Sequence, residues 1–206
     1  MEVSPRIKIC GITRVDDGLV AAESGADAIG LVFYHKSRRY VMVEQAREIV
    51  RALPPFVSVV GLFVDASDEL IQSVLDAVPL SLLQFHGNEP EADCSRWGVR
   101  YIKAFRVRPG IAVTDMVAPY TTACGYLLDS YKPGEAGGTG ESFDWDLLPR
   151  ELNKPVVLAG GLSPGNIAQA INRVQPYGVD VSSGVESQPG IKDHDKIRAF
   201  IKTAGR

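Results

Sequence analysis

At 206 residues, with 45% hydrophobic and 23% charged positions, the chain is long enough to bury one substantial core, and one domain over residues 1–206 is expected. A net charge of −3 gives no electrostatic reason for a nucleic-acid or anionic-membrane surface, so neither partner is expected. The cysteines Cys10, Cys94 and Cys124 are odd in number, widely spaced and without a CxxC pair, which argues against a disulfide framework and a cysteine-rich metal site.

Short β-rich apolar runs alternate with helical patterns along the whole chain. The predicted strands are 6–10, 27–33, 57–64, 81–85, 100–106, 124–128, 155–159 and 178–182. Several are apolar throughout, as expected of parallel strands covered on both faces. Between them, Ala46, Ile49, Val50 and Leu53 share one helical face, as do Ile167, Ala170, Ile171 and Val174. Ser163 followed by Pro164 reads as an N-cap and first-turn proline for the latter helix. Thr13 and Ser67 read as comparable starts, and Gly25 and Gly178 as helix C-caps. Ile197, Phe200, Ile201 and Ala204 mark a closing helix. Eight right-handed β–α–β units in so short a chain predict a (β/α)₈ TIM barrel, with an open doubly wound sheet as the competitor. The glycine-rich stretch 131–142 reads as a lid candidate. No apolar run approaches the roughly 18 residues of a membrane-spanning helix, and charged residues appear near the N-terminus without a signal-peptide core. A cytoplasmic protein is the expectation.

In a barrel, chemistry sits where strands end. Two late strands run into glycine turns, Gly160-Gly161 and Ser183-Gly184, where backbone amides beside helix starts can hold a phosphate. The expected ligand is therefore a small phosphorylated molecule. Strand one ends at Cys10, before a glycine and a helix start, where a thiolate can be stabilised. Cys94 and Cys124 read as small buried hydrophobes. Asp129 ends strand six, a position that suits a general acid or, equally, a loop-anchoring aspartate. Lys36, Arg38 and Arg39 after strand two form either a solvated loop or a fork for a substrate carboxylate. His86, followed by glycine after strand four, reads as a binding residue or a structural hydrogen-bond partner. His35 and His194 lack paired ligands, so no zinc site is expected.

Taken in order, the stretches KICGIT (8–13), ESGADAIGLVFY (23–34), KSRRYV (36–41), LLQFHGNE (82–89), LLDS (127–130), GGTGESFDW (137–145), LAGGLSPGN (158–166) and DVSSGVESQPGIKDHDKI (180–197) resemble the phosphoribosylanthranilate isomerase family of tryptophan biosynthesis. The resemblance implies an Amadori rearrangement of N-(5-phosphoribosyl)anthranilate to 1-(2-carboxyphenylamino)-1-deoxyribulose 5-phosphate. It implies Asp129 as general acid, Cys10 as general base, and Arg39 as the carboxylate ligand, with Arg38 as a one-residue alternative. It further implies that Gly160, Gly161, Ser183 and Gly184 hold the phosphate and that His86 lies near the substrate. Such a reaction moves protons without net redox change, so no cofactor or metal is expected. The chemistry asks for Cys10 as thiolate and Asp129 as carboxylic acid. The histidine-pathway phosphoribosyl isomerase, with an aspartate pair, is the nearest enzymatic rival, and a non-catalytic phosphate-binding barrel is the alternative of another class.

Overall fold

The computed structural model describes residues 4–108, 110–130, 145, 148–149 and 152–205. Eight parallel strands close into a barrel in sequence order: β1 (Arg6–Cys10), β2 (Ala28–Val32), β3 (Ser58–Phe63), β4 (Leu82–Phe85), β5 (Tyr101–Val107), β6 (Gly125–Ser130), β7 (Val156–Ala159) and β8 (Gly178–Val181). Pairing of β1 with β8, Lys8 opposite Asp180, shuts the ring and rules out the open sheet. Helices α1 (Val15–Glu23), α2 (Val43–Ala52), α3 (Asp68–Ala77), α4 (Glu91–Ser95), α5 (Val113–Val117), α6 (Ile167–Val174) and α7 (His194–Thr203) cover the outside. After β8, a 3₁₀ turn at Ser183–Val185 leads into a small antiparallel hairpin, β9 (Glu186–Gln188) and β10 (Ile191–Lys192).

Strand alternation divides the core in two. Outward-facing Ile7, Ile9, Ile29, Leu31, Leu83, Leu158, Val179 and Val181 are buried against the helices. The helices answer with Ala46 and Ile49 of α2, Ile167 and Ala170 of α6, and Ile197, Phe200 and Ile201 of α7. The barrel interior holds a second apolar layer, Ile102, Ala104, Leu127 and Ala159, but beside it Lys8, Gln84 and Asp180 are buried polar residues. Fully buried polar groups must be paired, and these three are paired with one another.

Three local expectations need correction. Ser163 does not cap α6; the cap position is Asn166, whose Oδ1 accepts from Ser163 N at 2.8 Å while its Nδ2 donates to Gly161 O at 2.9 Å, so the asparagine ties the β7 turn to the helix start. Thr13 does not cap α1, whose cap is Arg14; its hydroxyl instead donates to the Gly190 carbonyl and pins the β9–β10 turn. Gly178 is no C-cap either. Gln175 ends α6 in the left-handed region, and Gly178 is needed because a Cβ there would lie 3.1 Å from Arg6 O across the β1–β8 seam. Ser67 caps α3 through Leu70 N, and Gly25, at φ +104°, follows the Ser24 C-cap of α1. The 131–142 stretch lies outside the described residues.

Candidate active site

Alternation along β1 sends Lys8 and Cys10 to the barrel interior, because Ile7 and Ile9 face the helices. The neighbouring strand makes room for them. Opposite Cys10 stands Gly30, where a Cβ would lie 2.7 Å from Cys10 Sγ and 3.0 Å from Lys8 Cε. Chain reversal at the top of β1 uses Gly11 at φ +73°, and a Cβ there would meet Arg39 Cδ at 2.5 Å. The missing side chain lets the arginine lie across the strand end.

A cavity of about 370 Å³ opens at the C-terminal mouth of the barrel. Cys10, Arg39, His86, Asp129, Gly160, Gly161 and Ser183 all line it. The thiol and the carboxyl group thus share one space with the two late turns. Gly160 and Gly161 have φ of +87° and +63°, the left-handed region that glycine enters without strain. Gly184 is not among the lining residues. A Cβ on it would stand 1.8 Å from Leu162 O, so the missing side chain lets the turns after β7 and β8 close against each other. Arg38 is exposed and is not among the residues lining the cavity, whereas Arg39 lines it.

Arg39 does not hang free. Its Nε and Nη2 donate to the two carboxylate oxygens of Glu186, each at 2.7 Å, in a bidentate pair. Glu186 also accepts from Lys192 Nζ at 2.9 Å, and Lys192 donates to Ser182 O at 3.1 Å. The small hairpin after β8 therefore orients the arginine of the β2–α2 loop. Burial by itself would raise the Glu186 carboxyl, but the Arg39 fork and Lys192 outweigh it and hold it below its ordinary value.

Electrostatics at Cys10 correct one expectation. Burial pushes its thiol above the ordinary value; Lys8 and Lys192 pull it back only in part, and Asp180 adds to the rise. That direction runs opposite to the one a thiolate base asks for, and Lys8 and Lys192 are the groups that favour the thiolate. Position at a strand end gave no hint of this, because the desolvation comes from neighbouring strands.

The chain matches the family model "N-(5'phosphoribosyl)anthranilate (PRA) isomerase" over residues 7–203. It is 61% identical over 196 residues to N-(5'-phosphoribosyl)anthranilate isomerase of Pseudomonas fluorescens (strain Pf0-1), covering 95% of this chain and 96% of that one. The chain belongs to the phosphoribosylanthranilate isomerase family. Among solved members of the family, the enzyme from Thermotoga maritima superposes with a TM-score of 0.88 at 46% identity, over 97% of this chain and 98% of that one. Another phosphoribosyl anthranilate isomerase, solved in complex with reduced 1-(o-carboxyphenylamino)-1-deoxyribulose 5-phosphate, gives 0.84 at 44% identity, over 97% and 98% of the two chains.

Several residues of this family member escaped the reading of isolated motifs. Glu186 and Lys192 lie within the 180–197 segment, but nothing in the linear chain says that they meet Arg39. Lys8, Gln84 and Asp180 were hidden for another reason. A polar residue inside an apolar strand signals an inward position, yet its partner stands on a distant strand. Lys8 Nζ donates to Asp180 Oδ1 and to Gln84 Oε1, both at 2.9 Å. His35 is exposed and does not line the cavity, and His194 pairs through Nε2 with Asp17 Oδ1 at 2.9 Å, joining α7 to α1. Among the described residues no cluster of three or more His, Cys, Asp or Glu side chains could hold a metal ion. No helix among them is long and apolar enough to cross a membrane.

Proposed function

We propose that this chain catalyses the Amadori rearrangement of N-(5-phosphoribosyl)anthranilate to 1-(2-carboxyphenylamino)-1-deoxyribulose 5-phosphate. The observation that carries the reading is one cavity lined by both Cys10 and Asp129, with the Gly160-Gly161 turn at its rim, in a member of this family. Asp129 gives its proton to the furanose ring oxygen. The C1–O bond breaks while the anilino nitrogen lone pair forms C1=N, leaving an iminium. Cys10, as thiolate, takes the proton from C2; the released pair forms C1=C2 and the C=N pair returns to nitrogen. The enolamine then loses its C2 hydroxyl proton and gains one at C1, giving the ketone.

Binding is proposed to anchor both ends of the substrate. Backbone amides around Gly160, Gly161 and Ser183 hold the phosphate. Gly184 supports them by bringing the turns together. With Nε and Nη2 committed to Glu186, Arg39 has its remaining guanidinium N–H groups to offer the anthranilate carboxylate. Fixing the two ends places C1 and C2 between acid and base, and such positioning lowers a barrier without stronger chemistry. Deprotonation of Cys10 is favoured by two ammonium groups, Lys8 and Lys192, against the cost of its burial.

The test is a fluorescence assay with freshly made phosphoribosylanthranilate. General acid–base groups contribute about 10²–10⁴-fold, so Cys10→Ser and Asp129→Asn are each expected to lower kcat by at least about a hundredfold. Both variants should still bind the reduced product analogue. Unchanged turnover in either variant would remove that residue from the mechanism.

A further inference from the structure

Four buried or half-buried side chains form a continuous line across the barrel, from β1 to the proposed acid on β6. Lys8 Nζ donates to Gln84 Oε1 at 2.9 Å, Gln84 Nε2 stands 3.0 Å from His86 Nδ1, and His86 Nε2 faces Asp129 Oδ2 at 3.4 Å. Each link restricts the next. An ammonium has only N–H donors, so the amide of Gln84 can present only its oxygen to Lys8. Gln84 is fully buried and has no room to ignore that choice. Its NH₂ must then face His86, which makes Nδ1 the acceptor and puts the imidazole proton on Nε2. Nε2 lies 3.4 Å from Oδ2 of Asp129.

We infer that Lys8 and Gln84 are positioning residues that fix the His86 tautomer, so that His86 donates to Asp129 Oδ2 and leaves Oδ1 as the oxygen that carries the transferable proton. The inference rests on the reading of Asp129 as general acid. During ring opening, the proton leaves Oδ1 for the sugar oxygen, and the negative charge left on the carboxylate is met by the His86 N–H. The 3.4 Å separation is long for a hydrogen bond and is expected to shorten with substrate in place, as catalytic hydrogen bonds often do. Lys8 stays charged through this work. Burial opposes its charge, but Asp180, joined by Cys10 once that group is a thiolate, outweighs this and raises it above its ordinary value. The same ammonium therefore serves both poles, favouring the Cys10 thiolate directly and orienting Asp129 through two relays.

The test uses the full chain, ¹⁵N-labelled at histidine, and two variants of Gln84, a residue that touches neither reacting group. Long-range ¹H–¹⁵N spectra of the wild type at pH 8 should show the His86 proton on Nε2. Gln84→Glu replaces the amide donor with a carboxylate acceptor and should move the proton to Nδ1. Its kcat should fall about tenfold to a hundredfold, below the roughly 10²–10⁴ assigned to the proton transfer itself, with KM changed less. Gln84→Met, which removes both contacts, should give mixed tautomers and an intermediate kcat, and it answers the question if Gln84→Glu does not fold. A wild-type proton on Nδ1 would overturn the inference, as would a tautomer switch that leaves kcat unchanged. Asp129→Asn separates the two claims. Full turnover in that variant defeats the acid assignment, whereas the spectra report the tautomer whatever the activity.

Discussion

The Glu186 carboxylate is the most consequential residue that touches no proposed reacting atom, and Glu186→Gln tests its role. The side chain is 5% exposed, its partner Lys192 is 0% exposed and Arg39 is 25% exposed. Replacing the carboxylate by an amide leaves two cations beside a neutral group. Breaking a buried pair costs about 3–5 kcal/mol, and the partial exposure of Arg39 points to the lower end, about 3 kcal/mol. For a chain of this length each kcal/mol moves Tm by roughly 2–4 °C, so a drop of about 6–12 °C is expected in thermal unfolding at pH 7. Arg39 also loses its orientation and must be reordered on binding. Ordering one long side chain costs about 0.5–1.5 kcal/mol, which sets a KM increase of roughly twofold to twelvefold with kcat less affected. The pH dependence gives an independent check. Because the folded-state value of Glu186 is lowered, its stabilisation is present above the ordinary 4.5 and is lost as pH falls through the folded value. The wild type and the variant should therefore converge in Tm at acid pH. A Tm within about 2 °C of wild type at pH 7, or a gap that persists undiminished into acid, would refute the reasoning.

Three further outcomes follow from the site. Because burial raises the Cys10 thiol in the free enzyme, kcat/KM should climb with pH through the alkaline range with unit slope, toward an apparent value above the ordinary 9.0; a flat profile from pH 7 to 10 would contradict a raised thiol as the titrating base. The same shift means that the native state holds its proton longer than the unfolded chain, so stability is full below about pH 9.0 and falls as pH rises, and Cys10→Ser should resist that loss in alkaline denaturant titrations. Gly184→Ala places a methyl 1.8 Å from the Leu162 carbonyl oxygen, a backbone atom that cannot swing away. Overpacking of this kind costs about 1–3 kcal/mol, and the displaced turn should weaken competitive inhibition by inorganic phosphate; wild-type Tm and inhibition would contradict the steric argument.

What the residues determine alone is considerable. Apolar runs such as 57–64 and 155–159, alternating with amphipathic helical stretches, suit parallel strands buried on both faces by helices, so the alternation of strand and helix was readable from hydropathy. Ile197, Phe200 and Ile201 announced α7 in the same way. Strand ends marked Cys10, Asp129 and the Gly160-Gly161 turn, because in such folds the ends are where side chains leave the sheet. The caps were less legible. Asn166 takes the place expected of Ser163 because it reaches both Ser163 N and Gly161 O, a geometry that depends on the turn as folded.

Only the tertiary structure decided closure, and with it the electrostatics. Hydropathy is equally consistent with an open sheet; the ring exists because β8 pairs with β1, joining residues separated by almost the whole chain. That one seam puts Asp180 beside Lys8 and leads the chain into the hairpin that carries Glu186 to Arg39. Local patterns reflect which face of an element avoids water. They carry no record of which distant charge an inward side chain will meet. The barrel supplies that pairing, and the raised thiol of Cys10 and the fixed guanidinium of Arg39 both follow from it.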